Sequence, residues 1–168
     1  MQLIALGSSL GLPNIGEPPA VVEAAYVDIA DRIGQITACS RLYRTKAWPD
    51  PTQPGFVNAA IAVDSRLSPL ALLDILLEIE LRFGRKRSVP NAPRTLDLDL
   101  IAEGNLVLDH PRLQLPHPRM AQRVFVLQPL ADVAPYWRHP LLGSNVVEML
   151  EQLQNRDDYD PSVICLHT

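Results

Sequence analysis

An α+β domain with a mostly antiparallel sheet is what this sequence predicts. Two long stretches carry apolar residues at helical spacing, and each is opened by proline. Around them lie at least four short apolar stretches that read as strands, bounded by turn residues. The chain has 168 residues, nearly half of them hydrophobic, which suits one domain, residues 1–168, with a sizeable core.

In chain order, residues 2–6 form the first strand and Pro18-Pro19 opens the first helix. Val22, Tyr26, Ile29 and Ile33 share one face of that helix, and Gly34 ends it. Residues 35–44 read as one long second strand and 56–64 as a third, separated by a proline-rich loop at 46–55. Ser68 caps a second helix with Pro69 at its first position, and that helix runs toward Gly84. Asp74, Glu78 and Arg82 recur on its solvated face. Glu80 instead follows Leu73, Leu76 and Leu77, where an unpaired carboxylate is costly, so it requires a partner or a ligand.

A further strand covers residues 93–100, and Glu103-Gly104-Asn105 is expected to turn the chain into an antiparallel hairpin with residues 106–108. A short helical segment holds residues 125–127 before Pro129, and a last helix is expected at 145–153. The polar tail, 155–168, is expected to be loosely ordered.

The chemistry concentrates in Pro93-Arg94-Thr95-Leu96-Asp97-Leu98-Asp99-Leu100. Strand alternation sends Leu96, Leu98 and Leu100 to a core and puts Thr95, Asp97 and Asp99 on the opposite face. The two Asp backbone positions are then roughly 6.5–7 Å apart. At an effective dielectric of 20, like charges at about 7 Å repel by roughly 2.4 kcal/mol, which favours a bound cation or a raised pKa. Hard oxygen ligands suit magnesium when phosphates complete the shell. From alternation alone, a strand that merely shows a polar face to water fits as well. The neighbours decide: residues 82–94 hold five cations in a chain of formal net charge −4. Carboxylates beside a basic loop are what a polyphosphate requires.

The third strand puts Phe56 and Asn58 on one face and Val57, Ala59, Ile61 and Val63 on the other. Phe56 reads as a core residue and Asn58 as a turn-linked amide on these grounds, yet an aromatic beside an amide also suits a flat heterocycle.

Several classes are disfavoured. The N-terminus is apolar but lacks a basic start and breaks at Gly7, and no run reaches membrane-spanning length, so no membrane partner is expected. Cys39 and Cys165 have no metal or redox spacing, which fits a reducing, cytoplasmic compartment. The acidic net charge and the short basic run speak against nucleic acid. Gly7-Ser8-Ser9-Leu10-Gly11 lacks the lysine of a P-loop, and its glycines are expected to permit a turn. A sugar transferase with an Asp-x-Asp site is disfavoured by the short chain, which lacks a nucleotide-binding βαβ unit.

Gly7-Ser8-Ser9-Leu10-Gly11, Tyr43-Arg44-Thr45, Phe56-Val57-Asn58-Ala59-Ala60, Ile79-Glu80, Gly84-Arg85, the 93–100 segment, Pro116-His117 and Arg123-Val124-Phe125 occur together and in this order. In this the chain resembles the 6-hydroxymethyl-7,8-dihydropterin pyrophosphokinase family, roughly over residues 3–135. The resemblance implies a ferredoxin-like, three-layer α/β/α fold and transfer of diphosphate from ATP to a pterin alcohol in folate biosynthesis, with release of AMP. A catalytically silent ATP- or pterin-binding protein on the same scaffold is the alternative.

By resemblance, Asp97 and Asp99 hold two Mg2+ ions, and Arg85 and Arg94 join them as catalytic residues. Glu80, Arg85, Arg87, Arg94, Arg112, His117 and Arg123 bind ATP, while Thr45, Phe56, Asn58 and Phe125 bind the pterin. A monomer is expected. The chain departs from the family pattern at Asn91, where tryptophan is frequent, at Pro118, where tyrosine is frequent, and in a basic loop about one residue shorter.

Overall fold

The computed structural model describes residues 1–47, 52–85, 93–156 and 163–166. Its sheet is built around β1 (Gln2–Ser8), which pairs antiparallel with β4 (Phe56–Asp64) on one side and β5 (Asp97–Glu103) on the other. β2 (Gln35–Cys39) and β3 (Leu42–Thr45) both pair with the far edge of β4, and β8 (Ile164–Leu166) adds to β3. The order is β5-β1-β4-β3-β8, with β2 beside β3 on β4, and every pairing is antiparallel.

A sheet whose strands are apolar on both faces needs a cover on each. Ile4, Leu6, Val57, Ile61, Leu98 and Leu100 pack with α1 (Pro18–Arg32) and α2 (Pro69–Arg82). Leu3, Ala60, Ala62 and Ile101 pack with α3 (Val124–Val133) and α4 (Val146–Gln154). The result is a three-layer, ferredoxin-like α+β fold. No helix among the described residues is long and apolar enough to cross a membrane.

The helix ends follow local rules. Ser68 accepts a hydrogen bond from the Ala71 N–H to start α2. Asn145 and Glu148 form a reciprocal capping box at α4, each side chain accepting the other's backbone N–H at 2.9 Å.

The structure corrects three local expectations. The long second strand is broken at Ser40: its N–H donates to the Ala60 carbonyl and its Oγ accepts the Ala60 N–H, both at 2.9 Å. A side chain thus replaces a ladder carbonyl, and Arg41 is left to point elsewhere. α3 runs through Pro129, because burial of Val126, Leu127 and Leu130 outweighs the lost hydrogen bond. The 103–105 turn forms, with Gly104 at φ 51°, but residues 106–108 do not return along β5. Trp137 Nε1 donates to the Gly104 carbonyl at 2.8 Å, and the chain leaves the sheet for a separate hairpin of β6 (Leu108–His110) and β7 (Leu113–Leu115). The tail supplies β8, while residues 157–162 and 167–168 are outside the described set.

Arg41 closes on α3. Asp132 accepts its backbone N–H and Nε at 3.1 Å and its Nη2 at 2.7 Å, and also the Tyr43 hydroxyl at 2.8 Å. Burial alone would raise the Asp132 pKa, but the bonds from Arg41 and Tyr43 outweigh it and hold the carboxyl below its usual range. The stability it contributes is present above the unfolded-state carboxylate pKa and is lost as pH falls through the depressed folded value. Asp132→Asn is expected to lower Tm by about 2–5 °C at pH 7. That gap should close in acid, so thermal melts that kept a constant gap from pH 7 to pH 3 would contradict the assignment.

Candidate active site

Toward one end of the face that α3 and α4 cover, the aliphatic side chains of β1, β4 and β5 give way to a glycine, an amide beside an aromatic ring, and two carboxylates. β4 runs from Ala62 and Ala60 to Asn58 and Phe56, β5 from Ile101 to Asp99 and Asp97, and β1 from Leu3 and Ala5 to Gly7. Register puts Asp97, Gly7, Asn58 and Tyr43 in one row across β5, β1, β4 and β3, with Asp99, Ala5 and Ala60 in the next.

Asp97 faces two arginines: its Oδ1 is 2.5 Å from Arg85 Nη1 and its Oδ2 is 3.0 Å from Arg94 Nη1. Burial, and then the Asp97 charge, push the Asp99 pKa up, against the pull of Arg123, Arg85 and Arg94. Two neighbouring carboxylates, both partly buried, are suited to a shared cation, so the residues fit magnesium. Among the described residues no group of three or more His, Cys, Asp or Glu converges on a metal position. Water and phosphate oxygens would have to complete the shell.

Glu80 has the partners its burial demands. It is 2% exposed, its Oε1 accepts the Leu98 N–H at 2.8 Å, and it pairs with Arg85. Burial raises its pKa to about 7, with the Leu98 N–H and Arg85 opposing. The sequence achieves this through Gly84, whose φ of 72° reverses the chain after α2 and returns Arg85 over the acid. Glu80 therefore links α2, the Leu98 backbone between the two aspartates, and the Arg85 guanidinium.

Arg94 is gripped through its backbone. The N–H groups of Ser9 and Leu10 donate to its carbonyl at 3.0 and 3.2 Å, and its own N–H donates to Ser9 Oγ at 2.9 Å. Its guanidinium carbon sits 5.9 Å from the centre of the Phe56 ring. Ser9 is a residue that sequence reasoning missed. The motif around it was visible, but a contact spanning 85 positions has no local signature. Gly7 also differs from expectation, for it lies inside β1; Gly11 instead allows the close approach of the Gly16 carbonyl.

Beside the carboxylates, Thr45 stands opposite Phe56 in the β3–β4 register, and Asn58 Nδ2 donates to Thr45 Oγ1 at 2.9 Å. That bond orients the buried Asn58 amide. Phe125 projects from the first turn of α3, 38% exposed, with Arg123 5.5 Å from its ring centre. Burial, then Arg119, make the Arg123 charge costly, and Asp99 offsets part of this.

His117 follows the buried Pro116; its N–H donates to the Ile101 carbonyl at 2.8 Å, and its Nδ1 accepts the Arg119 N–H at 3.2 Å. Burial, then Arg123 and Arg119, lower its pKa to about 4, so near neutral pH the ring is uncharged with Nε2 as the donor. Arg112 is about half exposed and paired with Asp74 on the rim. Both line a cleft of about 720 Å³ whose walls include Leu73, Asp99, His110 and Pro118. Arg87 and Asn91 fall outside the described residues.

Comparison with known proteins identifies a family for the chain. Residues 3–135 match the family described as 7,8-dihydro-6-hydroxymethylpterin-pyrophosphokinase. Two curated relatives named 2-amino-4-hydroxy-6-hydroxymethyldihydropteridine pyrophosphokinase are similar over 149 residues, or 88% of this chain. The Synechocystis protein is 42% identical, with 76% of its length covered, and the Pseudomonas aeruginosa protein is 45% identical, with 88% covered. Among solved structures, Plasmodium falciparum wild-type HPPK-DHPS superposes on 99% of this chain with a TM-score of 0.73 at 13% identity, a likeness of fold. This chain spans 48% of that longer one. By its sequence match, the chain belongs to the 7,8-dihydro-6-hydroxymethylpterin-pyrophosphokinase family.

Proposed function

We propose that the residues gathered at this end of the sheet carry out the reaction of the family. The enzyme transfers diphosphate from ATP to the hydroxymethyl group of 6-hydroxymethyl-7,8-dihydropterin in folate biosynthesis. The supporting observation is the row of Asp97, Gly7 and Asn58, which sets a carboxylate for charge and an amide for a ring edge two strands apart.

In this reading Asn58 and Thr45 hydrogen-bond the pterin edge, while Phe56 and Phe125 offer ring faces to it. The substrate hydroxyl then points along the row toward Asp97. Its oxygen attacks the β-phosphorus of ATP, the bond from that phosphorus to the α,β-bridging oxygen breaks, AMP departs with that oxygen, and the hydroxyl proton passes to solvent. Asp97 and Asp99 would hold two magnesium ions, which when bound neutralise the triphosphate and align the reacting atoms. Arg85 and Arg94 exchange Asp97 for phosphate oxygens, which their planar forks hold in fixed geometry. Arg123 adds charge from the start of α3, and Arg87, outside the described residues, is assigned to ATP by the resemblance alone. Arg112 and neutral His117 contact the nucleotide in the adjoining cleft, whose volume is ordinary for a small-molecule site. Glu80 serves the nucleotide by fixing Arg85 and β5. A monomer in the cytoplasm completes the reading, and the free thiols of Cys39 and Cys165 support a reducing compartment.

The test is incubation with ATP, magnesium and the pterin alcohol, with nucleotides separated by chromatography. Pterin-dependent AMP supports the assignment, whereas ADP, or no consumption by folded protein, contradicts it. Asn58→Ala is expected to weaken pterin binding about 5- to 150-fold, through loss of a bond worth about 1–3 kcal/mol in a buried site. ATP affinity should stay within about twofold of the parent. Equal loss of both ligands in titration calorimetry would count against the assignment of Asn58.

A further inference from the structure

Seven of the eight glycines have a backbone reason to be glycine. Gly16, Gly34, Gly84, Gly104 and Gly143 have positive φ, and a Cβ on Gly11 or Gly55 would come within 2.6 or 2.5 Å of a carbonyl oxygen. Gly7 has neither reason. It is a hydrogen-bonded residue in the middle of the sheet, where glycine weakens a strand. A Cβ there would meet Asn58 Oδ1 at 3.6 Å, the Asp97 β-carbon at 3.8 Å and Phe56 Cδ1 at 3.8 Å. These are ordinary contacts, so the fold has room for a methyl group. That methyl group would stand among the three side chains assigned to the ring and to the phosphates.

We propose that Gly7 is a specificity-determining residue: its bare backbone is the floor of a trough through which the hydroxymethyl arm passes from the ring site at Asn58 and Phe56 to the carboxylate at Asp97. The proposal rests on the ring and phosphate assignments given above. Two strand spacings separate Asn58 from Asp97, about 9–10 Å, and the Gly7 peptide occupies the middle of that span. An arm on the ring has to cross this point to reach a phosphate, and a side chain at Gly7 would fill the crossing. The same floor limits the bulk accepted at the position of the arm.

The experiment compares the parent with Gly7→Ala in thermal melts, MgATP binding, AMP release, and binding of 6-hydroxymethylpterin against pterin without the arm. Tm should be equal or higher, since alanine suits a strand better than glycine does. MgATP affinity should be unchanged and binding of the armless pterin nearly so. With the arm present, kcat/KM and affinity should fall about 10- to 200-fold, the discrimination expected of one misplaced methyl-sized group. A large drop in Tm would show that the space is not open. Equal weakening of both pterins would assign Gly7 to the ring site as a whole, and unchanged turnover would leave the trough without a role; each overturns the proposal. If the parent itself releases no pterin-dependent AMP, the functional assignment fails first, a result separable from any property of the variant.

Discussion

Asp97→Ala is expected to lower kcat by about a thousandfold or more, equivalent to about 4 kcal/mol of lost transition-state stabilisation. Asp97 is the carboxylate on which the charges of the site converge: Arg85 and Arg94 both reach it, and its own charge raises the Asp99 pKa. Without it, the proposed metal site would keep only Asp99, and the arginines would lose the anchor that orients them toward incoming phosphate. The fold should survive, because Asp97 is about a quarter exposed and the two arginines can turn to water. Steady-state AMP release across a magnesium titration, with a melt on the same protein, is the measurement. Turnover within tenfold of the parent at saturating magnesium would remove Asp97 from the proposed metal role.

Glu80→Ala is expected to do most of its damage through structure. The carboxylate is 2% exposed, accepts the Leu98 N–H and pairs with Arg85. Truncation leaves a buried N–H without its acceptor and a partly buried guanidinium without one of its two carboxylates. Breaking a buried pair costs about 3–5 kcal/mol. For a chain of this size that corresponds to about 6–20 °C in Tm. Glu80→Gln should recover much of the loss, because its amide oxygen still accepts from Leu98, yet turnover should stay low because Arg85 is left with Asp97 as its one charged partner of the two. Melts and kinetics on both variants decide this. If alanine melted within about 2 °C of the parent, the Glu80 link would carry no structural weight.

The sequence made some features legible and hid others, for physical reasons. The opposite faces of Asp97, Asp99 and Leu98 followed from the period of a strand, and the structure bears that alternation out. The need of Glu80 for a partner followed from its place on an apolar helix face, although its identity as Arg85 depended on a left-handed glycine two residues past α2. Pro129 misled because local rules for proline were overridden by burial of the α3 face. The break at Ser40 was hidden because a hydroxyl stood in for a carbonyl, which composition does not reveal. Ser9 and Gly7 stood in a visible motif, but their work lies in contacts with Arg94 and in an omitted side chain. Neither has a periodicity to read.

Because Gly7, Thr45, Asn58, Asp97 and Phe125 come from five separate elements, no supersecondary piece of the chain holds the site by itself. Binding energy at this position is therefore linked to the global folding equilibrium: at a hundred times its Kd, a ligand of the native state adds about 2.7 kcal/mol to stability. A molecule that seats itself there acts as a clasp on the whole sheet, and a thermal-shift screen would read occupancy of the site directly.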